Sequence, residues 1–390
     1  MQVTIDASYQ SLNKHNEELC GDKVEIFHTP EACILILADG MGSGVKANIL
    51  ATLTSKILGT MLLNGAEIDE CVETIVKTLP LCQIRQVAYS TFSILQISHG
   101  GAAYLIEFDN PSCIHIRENR LVPIPYEARS IEGKTIRESR FQVQLKDALI
   151  LVSDGAVHAG AGNLLNFGWT WENLANYALS VSLHATSASR MCALLIKACD
   201  ELYMKLPGDD TTIAAVKINA PQVVNLLTGP PLNSEDDSRL IKEFMKHQGK
   251  RIISGGTSAQ IAARILDRPL KTSLTYTDPS LPPMAEMAGI DLVTEGVLTL
   301  SRALSLIKSY SDGKADEAFF NLLDQENGGS KIARLLIEDC TTLNLFVGRA
   351  INEAHQNPGL PFDLSIRMHL VAQLEKYLQS LGKAVTVTYY

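Results

Sequence analysis

Basic charge is scarce in this 390-residue chain: 34 Lys and Arg stand against 43 Asp and Glu, a formal net charge of -9. Nucleic-acid binding needs a basic face, so nucleic acid is excluded as a partner. No two of the eight cysteines (20, 33, 71, 82, 113, 192, 199 and 340) have CxxC spacing, which leaves no zinc ribbon and no thioredoxin-type pair. Most lie in apolar runs such as "EACILIL" and "MCALLIKAC" and read as small buried hydrophobes. No apolar run is long and unbroken enough to span a bilayer. The start, "MQVTIDASYQ", has neither the basic residues nor the apolar stretch of a signal peptide. Internal repeats and low-complexity tracts are missing too.

What remains is a well-packed protein, 46% hydrophobic and 20% charged. Reduced thiols fit the cytoplasm. Its length exceeds what one core ordinarily organises, so two domains are expected. "ACILILADG" reads as a buried strand ending at Asp39. From Ser43 the period changes: Val45, Ile49, Leu53, Ile57 and Met61 recur every four residues, beside Leu50 and Leu58, until Asn64-Gly65 closes the helix. After Pro80, short strand-like runs separated by "HGG", "DNP" and "EN" read as an antiparallel meander. Near "NAPQ", 219–222, the texture shifts to strands alternating with helices, the pattern of a largely parallel sheet. The apolar runs there include "SLTYTD" and "LNLFVGRA". The expected domains are 1–219 and 222–390.

Four acidic spots share one grammar. Asp22 stands just before a strand in "LCGDKVEI", and Asp39 ends one in "LADGMGSG". Asp154 ends another in "VSDGAV", while Asp209 and Asp210 open the strand of "PGDDTTIAAV". Each lies at a strand terminus beside glycine, where a short carboxylate can point into a shared cleft. Carboxylates that converge repel one another unless a cation neutralises them. An all-oxygen set without His or Cys favours Mg²⁺ or Mn²⁺ over zinc.

The ordered set "GD … ADGMGSGVKA … SDG … DDTT" resembles the metal-dependent protein phosphatases of type 2C, in their bacterial SpoIIE/RsbU-like branch, across about residues 1–218. The resemblance implies an α+β β-sandwich flanked by helices, followed here by a smaller α/β domain with a mostly parallel sheet. It implies two Mn²⁺ or Mg²⁺ ions, with Asp39 bridging them and Gly40 offering its carbonyl. Asp22 would hold one ion, largely through water, and Asp154 and Asp209 the other. Asp39, Asp154 and Asp209 are then the catalytic acids, and Asp210 orients the neighbouring loop or a metal-bound water. A water shared by the ions would attack a phosphoserine or phosphothreonine in line, without a phosphoenzyme. A phosphorylated STAS-type protein in bacterial signalling is the implied substrate. The alternative is a catalytically silent binding or regulatory module with the same fold.

A dinucleotide site is the rival for "GMGSGV", but Asp39 would face the pyrophosphate, and 59–64, "GTMLLN", lacks the ribose-binding acid. His158 follows Asp154 closely and reads as a loop histidine with a hydrogen-bonding role. In the second domain, strand-Gly-helix junctions recur at Gly255-Gly256, Gly296 and Gly348. Gly255, Gly256 and Thr257 can present N–H groups to an anion, and Arg349 is a bidentate partner for phosphate or carboxylate. There is no P-loop lysine. A sensor of a small anionic ligand and a dimerisation or docking domain, giving a homodimer, are the two readings.

Overall fold

The computed structural model describes residues 3–78, 90–131, 134–272, 281–350 and 362–390. It divides into two compact units, Met1–Ala220 and Pro221–Tyr390. Cys82 and the "SLTYTD" run lie outside the described residues. Among the described residues no helix is long and apolar enough to cross a membrane.

The first unit begins with β1 (Thr4–Leu12), β2 (Asp22–His28) and β3 (Ala32–Gly40), then α1 (Gly44–Leu63) and α2 (Ile68–Thr78). β4 (Ser90–Ser98), β5 (Ala102–Phe108), β6 (Ile114–Arg117), β7 (Arg120–Leu121), β8 (Glu127–Ile131), β9 (Lys134–Gln142) and β10 (Ala148–Val152) follow. The short α3 (Asp154–Val157), then α4 (Trp171–Ser182), α5 (Ala188–Leu202) and β11 (Thr211–Asn219) complete it. The strands form two antiparallel sheets, ordered β2-β3-β4-β5-β9-β8 and β1-β11-β10-β6-β7.

β3 shows why these runs are apolar throughout. Its residues alternate between faces. Cys33, Leu35 and Leu37 enter the core shared with Leu149, Leu151, Ala214 and Val216 of the other sheet. Ile34, Ile36 and Ala38 pack against Ala51 and Leu58 of α1 and Val72 of α2. On the far side, Ile150 and Ile213 meet Ala178 of α4 and Leu195 of α5. Four layers result, helices outside and two sheets within, so the central strands are covered on both faces. This is the expected sandwich.

Two local readings are corrected. The runs after residue 90 are not one meander: β4 pairs with β5 in one sheet, while β6 pairs with β7 and β10 in the other. "DNP" is thus a crossing between sheets, because both sheets need strands to close the core. In α1, Val45, Ile49 and Leu53 are 59%, 52% and 45% exposed. The buried face is Ala47, Ala51, Thr54, Ser55, Leu58 and Gly59. Small residues let the helix lie close on the sheet: a β-carbon on Gly59 would strike the Phe27 ring.

The second unit contains β12 (Val223–Thr228), α6 (Asp237–Lys246), β13 (Lys250–Ser254), α7 (Gly256–Leu266), β14 (Lys271–Thr272), β15 (Ala285–Met287) and β16 (Ile290–Thr294). After them come α8 (Val297–Ser311), α9 (Glu317–Leu323), α10 (Gly328–Arg334), β17 (Thr342–Val347), α11 (Phe362–Ser380) and β18 (Ala384–Tyr389). The sheet order is β14-β15-β16-β13-β12-β17-β18. The last five are parallel and the β14–β15 hairpin is antiparallel, so the sheet is mostly parallel.

Candidate metal centre

Strand register sets the first pair of acids. Asp22 lies directly opposite Asp39 in the β2–β3 pair, a spacing of about 5 Å between β-carbons. In the other sheet β10 and β11 are antiparallel, with Val152 opposite Ile213. Asp154 leaves the end of the one as Asp209 and Asp210 lead into the other. The loop after β1 joins these segments. The Lys14 N–H donates to Asp210 Oδ1 at 3.0 Å, and the Asn48 side-chain amide donates to the Cys20 carbonyl at 2.7 Å. The Gly40 N–H donates to the Gly21 carbonyl at 3.2 Å.

The glycines beside the acids are demanded by close approach. A β-carbon on Gly155 would run into the Asp210 carbonyl, and one on Gly40 into the Ala47 carbonyl. Glycine therefore lets the "SDG" turn lie on the "DDTT" turn, and "DG" lie on α1.

Asp22 is 4% exposed, and neither carboxylate oxygen has a hydrogen-bond partner. The Ser153 and Thr212 hydroxyls face it; Ser153 Oγ also accepts from the Thr212 N–H at 2.8 Å, and Thr212 Oγ1 pairs with Ser11 Oγ at 2.8 Å. Burial pushes the Asp22 pKa from the usual 3.8 to about 7; Ser153 and Thr212 pull it down, and Asp210 and Asp154 push it further up. For Asp39, burial and then the charges of Asp22, Asp154, Asp209 and Asp210 raise the pKa to about 9. Asp154 is exposed at the surface, yet partial desolvation of its carboxylate and then the charge of Asp209 raise its pKa, against a downward pull from His158. Asp210 is raised by burial, while backbone N–H groups of Lys14 and Gly21 oppose the shift. Desolvation leads each of these shifts, and the charges of the other four acids all act on Asp39, so they lie near it.

Among the described residues no three acidic, histidine or cysteine side chains close on one point as a finished ligand shell. The residues nonetheless fit a divalent metal: the donors are all oxygen, and the two partnerless Asp22 oxygens are buried ligands in want of a cation.

Asp22, Asp39, Gly40, Asp154, Asp209 and Asp210 therefore come together at one end of the sandwich. Gly255, Gly256 and Thr257 lie elsewhere, at the start of α7, and Arg349 follows β17. β12 separates β13 from β17, so Arg349 stands about 10 Å along the sheet from the Gly255 turn. His158 is exposed just past α3. Lys14 escapes a reading of the sequence, since nothing in "SLNKHNEELC" marks it. Its Nζ lies 3.7 Å from Asp209 Oδ1 and brings positive charge to the cluster. Only the fold reveals that.

Two antiparallel sheets between helix layers, with acids gathered where strands end, make the first unit a β-sandwich flanked by helices. Residues 29–219 match the family model described as Stage II sporulation protein E (SpoIIE). The phosphatase domain of SpoIIE from Bacillus subtilis is 17% identical over 56% of this chain and 93% of its own, with a TM-score of 0.43. RsbX in complex with magnesium is 18% identical over 56% of this chain and 99% of its own, TM-score 0.40. The S. agalactiae serine/threonine phosphatase is 15% identical over 55% and 99%, TM-score 0.41. No curated protein matches the chain.

Proposed function

We propose that the first unit is a divalent-metal-dependent protein phosphatase acting on phosphoserine or phosphothreonine. The buried, partnerless carboxylate of Asp22 opposite Asp39 carries this reading, because such a carboxylate is strongly unfavourable without a cation. Asp22, Asp39, Asp154, Asp209 and the Gly40 carbonyl would hold two Mg²⁺ or Mn²⁺ ions. Bound there, the ions supply a nucleophilic water near neutral pH and neutralise phosphoryl oxygens. The chain's own part is positioning. The β2–β3 register holds Asp22 against Asp39, and Asp210 fixes the β1–β2 loop through the Lys14 N–H. Lys14 offers its ammonium to an incoming phosphoryl group. The match of residues 29–219 to the SpoIIE model supports a STAS-type regulator as the phosphorylated substrate.

The test is turnover of p-nitrophenyl phosphate and of a phosphoserine peptide under Mn²⁺ and Mg²⁺ titration. Asp39→Asn should abolish metal-stimulated turnover, by loss of the bridging ligand, with an unchanged circular dichroism spectrum. Undiminished turnover in that variant would sink the assignment, and absent turnover in the wild type would favour a silent module.

A further inference from the structure

The five parallel strands of the second unit stand in the order β16-β13-β12-β17-β18, which is 3-2-1-4-5 in chain order. Such sheets bind ligands beyond the carboxyl ends of their strands. At that end, three adjacent strands each run into glycine: Gly229 after β12, Gly255 and Gly256 after β13, and Gly296 close after β16. They lie together. A β-carbon on Gly255 would stand 3.9 Å from the Gly229 nitrogen, and one on Gly296 would stand 3.7 Å from Gly255 Cα. Gly255 has φ 140°, a conformation strained for any residue with a side chain. The floor of this end is bare backbone.

Two helices rise from it. The first intrahelical bonds of α7 and α8 run from Ala259 to Gly255 and from Leu300 to Gly296. The N–H groups of Gly256, Thr257 and Ser258, and of Val297, Leu298 and Thr299, therefore have no acceptor within their helices. Ser258 makes this more than a pair of helix starts. It is 2% exposed, and its Oγ has no hydrogen-bond partner. That oxygen lies 3.4 Å from where a Gly255 β-carbon would stand, so it faces the glycine floor. The hydroxyl of Thr299, 1% exposed in the first turn of α8, is also partnerless. Beside Gly229 the buried Arg367 guanidinium donates to the carbonyls of Gly348 at 3.2 Å and Ala350 at 3.1 Å. One negative group is present: Glu295 Oε1 lies 3.0 Å from the β-carbon position of Gly256. Its exposed side chain holds a carboxylate where the α7 dipole attracts an anion.

We propose that this floor binds a phosphomonoester. Its phosphoryl oxygens accept from the first-turn N–H groups of α7 and from Ser258 Oγ, and the Glu295 carboxylate swings away to admit it. The full-length chain is titrated calorimetrically with inorganic phosphate, ribose 5-phosphate and AMP. EDTA keeps cations from the acids of the first unit, which then repel phosphate, so the result is independent of the phosphatase reading. At least one probe should bind saturably; the tightest of the three tells a nucleotide from a sugar phosphate from the free ion. Ser258→Ala should weaken that binding about tenfold, the effect of losing one hydrogen bond to a charged group. It should leave the melting temperature of the free protein unchanged or higher, since the hydroxyl makes no bond there. Glu295→Gln should tighten binding severalfold. Saturable binding by none of the probes, or equal affinity in Ser258→Ala, overturns the proposal.

Discussion

Replacing Asp22 with Asn should stabilise the metal-free protein, and should do so far more at pH 8 than at pH 5. Burial, before any other cause, lifts the Asp22 pKa from 3.8 to about 7. Three pH units at about 1.4 kcal/mol each amount to roughly 4 kcal/mol. The folded state holds this proton more tightly than the unfolded chain does. Its contribution is therefore fully present below about pH 4 and is lost as the pH rises through about 7. At pH 5 about a third of it is gone; at pH 8, all of it. Asparagine never ionises, so the stability gap between variant and wild type should widen by about 3 kcal/mol from pH 5 to pH 8. Unmet hydrogen bonds of the new amide subtract about 1–3 kcal/mol, by a similar amount at both pH values. Urea unfolding in EDTA measures the gap directly. Added Mn²⁺ should then raise wild-type stability by mass action and leave the variant almost unmoved. A gap that is the same at pH 5 and pH 8 would refute the reasoning, because it would mean that Asp22 is not held as a strained acid.

Gly155→Ala should destabilise the first unit by about 2 kcal/mol or more, since the new methyl meets the Asp210 carbonyl and must push two turns apart. Thermal unfolding checks this, and metal-stimulated turnover should fall with it; an unchanged midpoint would show that the turns are not in contact. Lys14→Ala should raise KM for a phosphoserine peptide severalfold with little change in kcat, because the ammonium beside Asp209 meets the phosphoryl group on binding. Steady-state kinetics at fixed Mn²⁺ separates the two, and an unchanged KM would remove Lys14 from the site.

Much of the first unit was legible because its chemistry is local. Asp39 and Asp154 each stand between an apolar strand and a glycine, and the strand ends that carry them are short-range features. The partnership between them was not local. Asp22 opposes Asp39 only through β2–β3 register, and Asp154 nears Asp209 only through β10–β11 pairing. Family resemblance supplied that step. Lys14 stayed hidden because its approach to Asp209 spans almost the whole first unit and depends on how one loop lies. In the second unit strand-Gly-helix junctions were readable, but strand order was not. Without it, Gly255 and Arg349 look like neighbours; with it, β12 stands between them.

The helix after the acids shows why periodicity misled. Counting large apolar residues in α1 selects Val45, Ile49 and Leu53, yet these face outward while Ala47, Ala51 and Ser55 are buried. A helix can bury its small face when its neighbour is itself bulky. β3 presents Ile34 and Ile36, and Phe27 of β2 fits where Gly59 has no side chain. Close approach has a second effect at the start of α1. It brings the Ala47 carbonyl to Gly40, and Ser43 Oγ donates to Glu17 Oε1 at 3.2 Å. The "DGMGSG" turn is thereby held from both sides. Larger residues on the inner face would lift α1 from the sheet and release the turn that carries Asp39. Helix packing and acid placement are therefore one constraint on this sequence: the small residues that hide the buried face from a hydrophobicity count are those that position the Asp39 carboxylate.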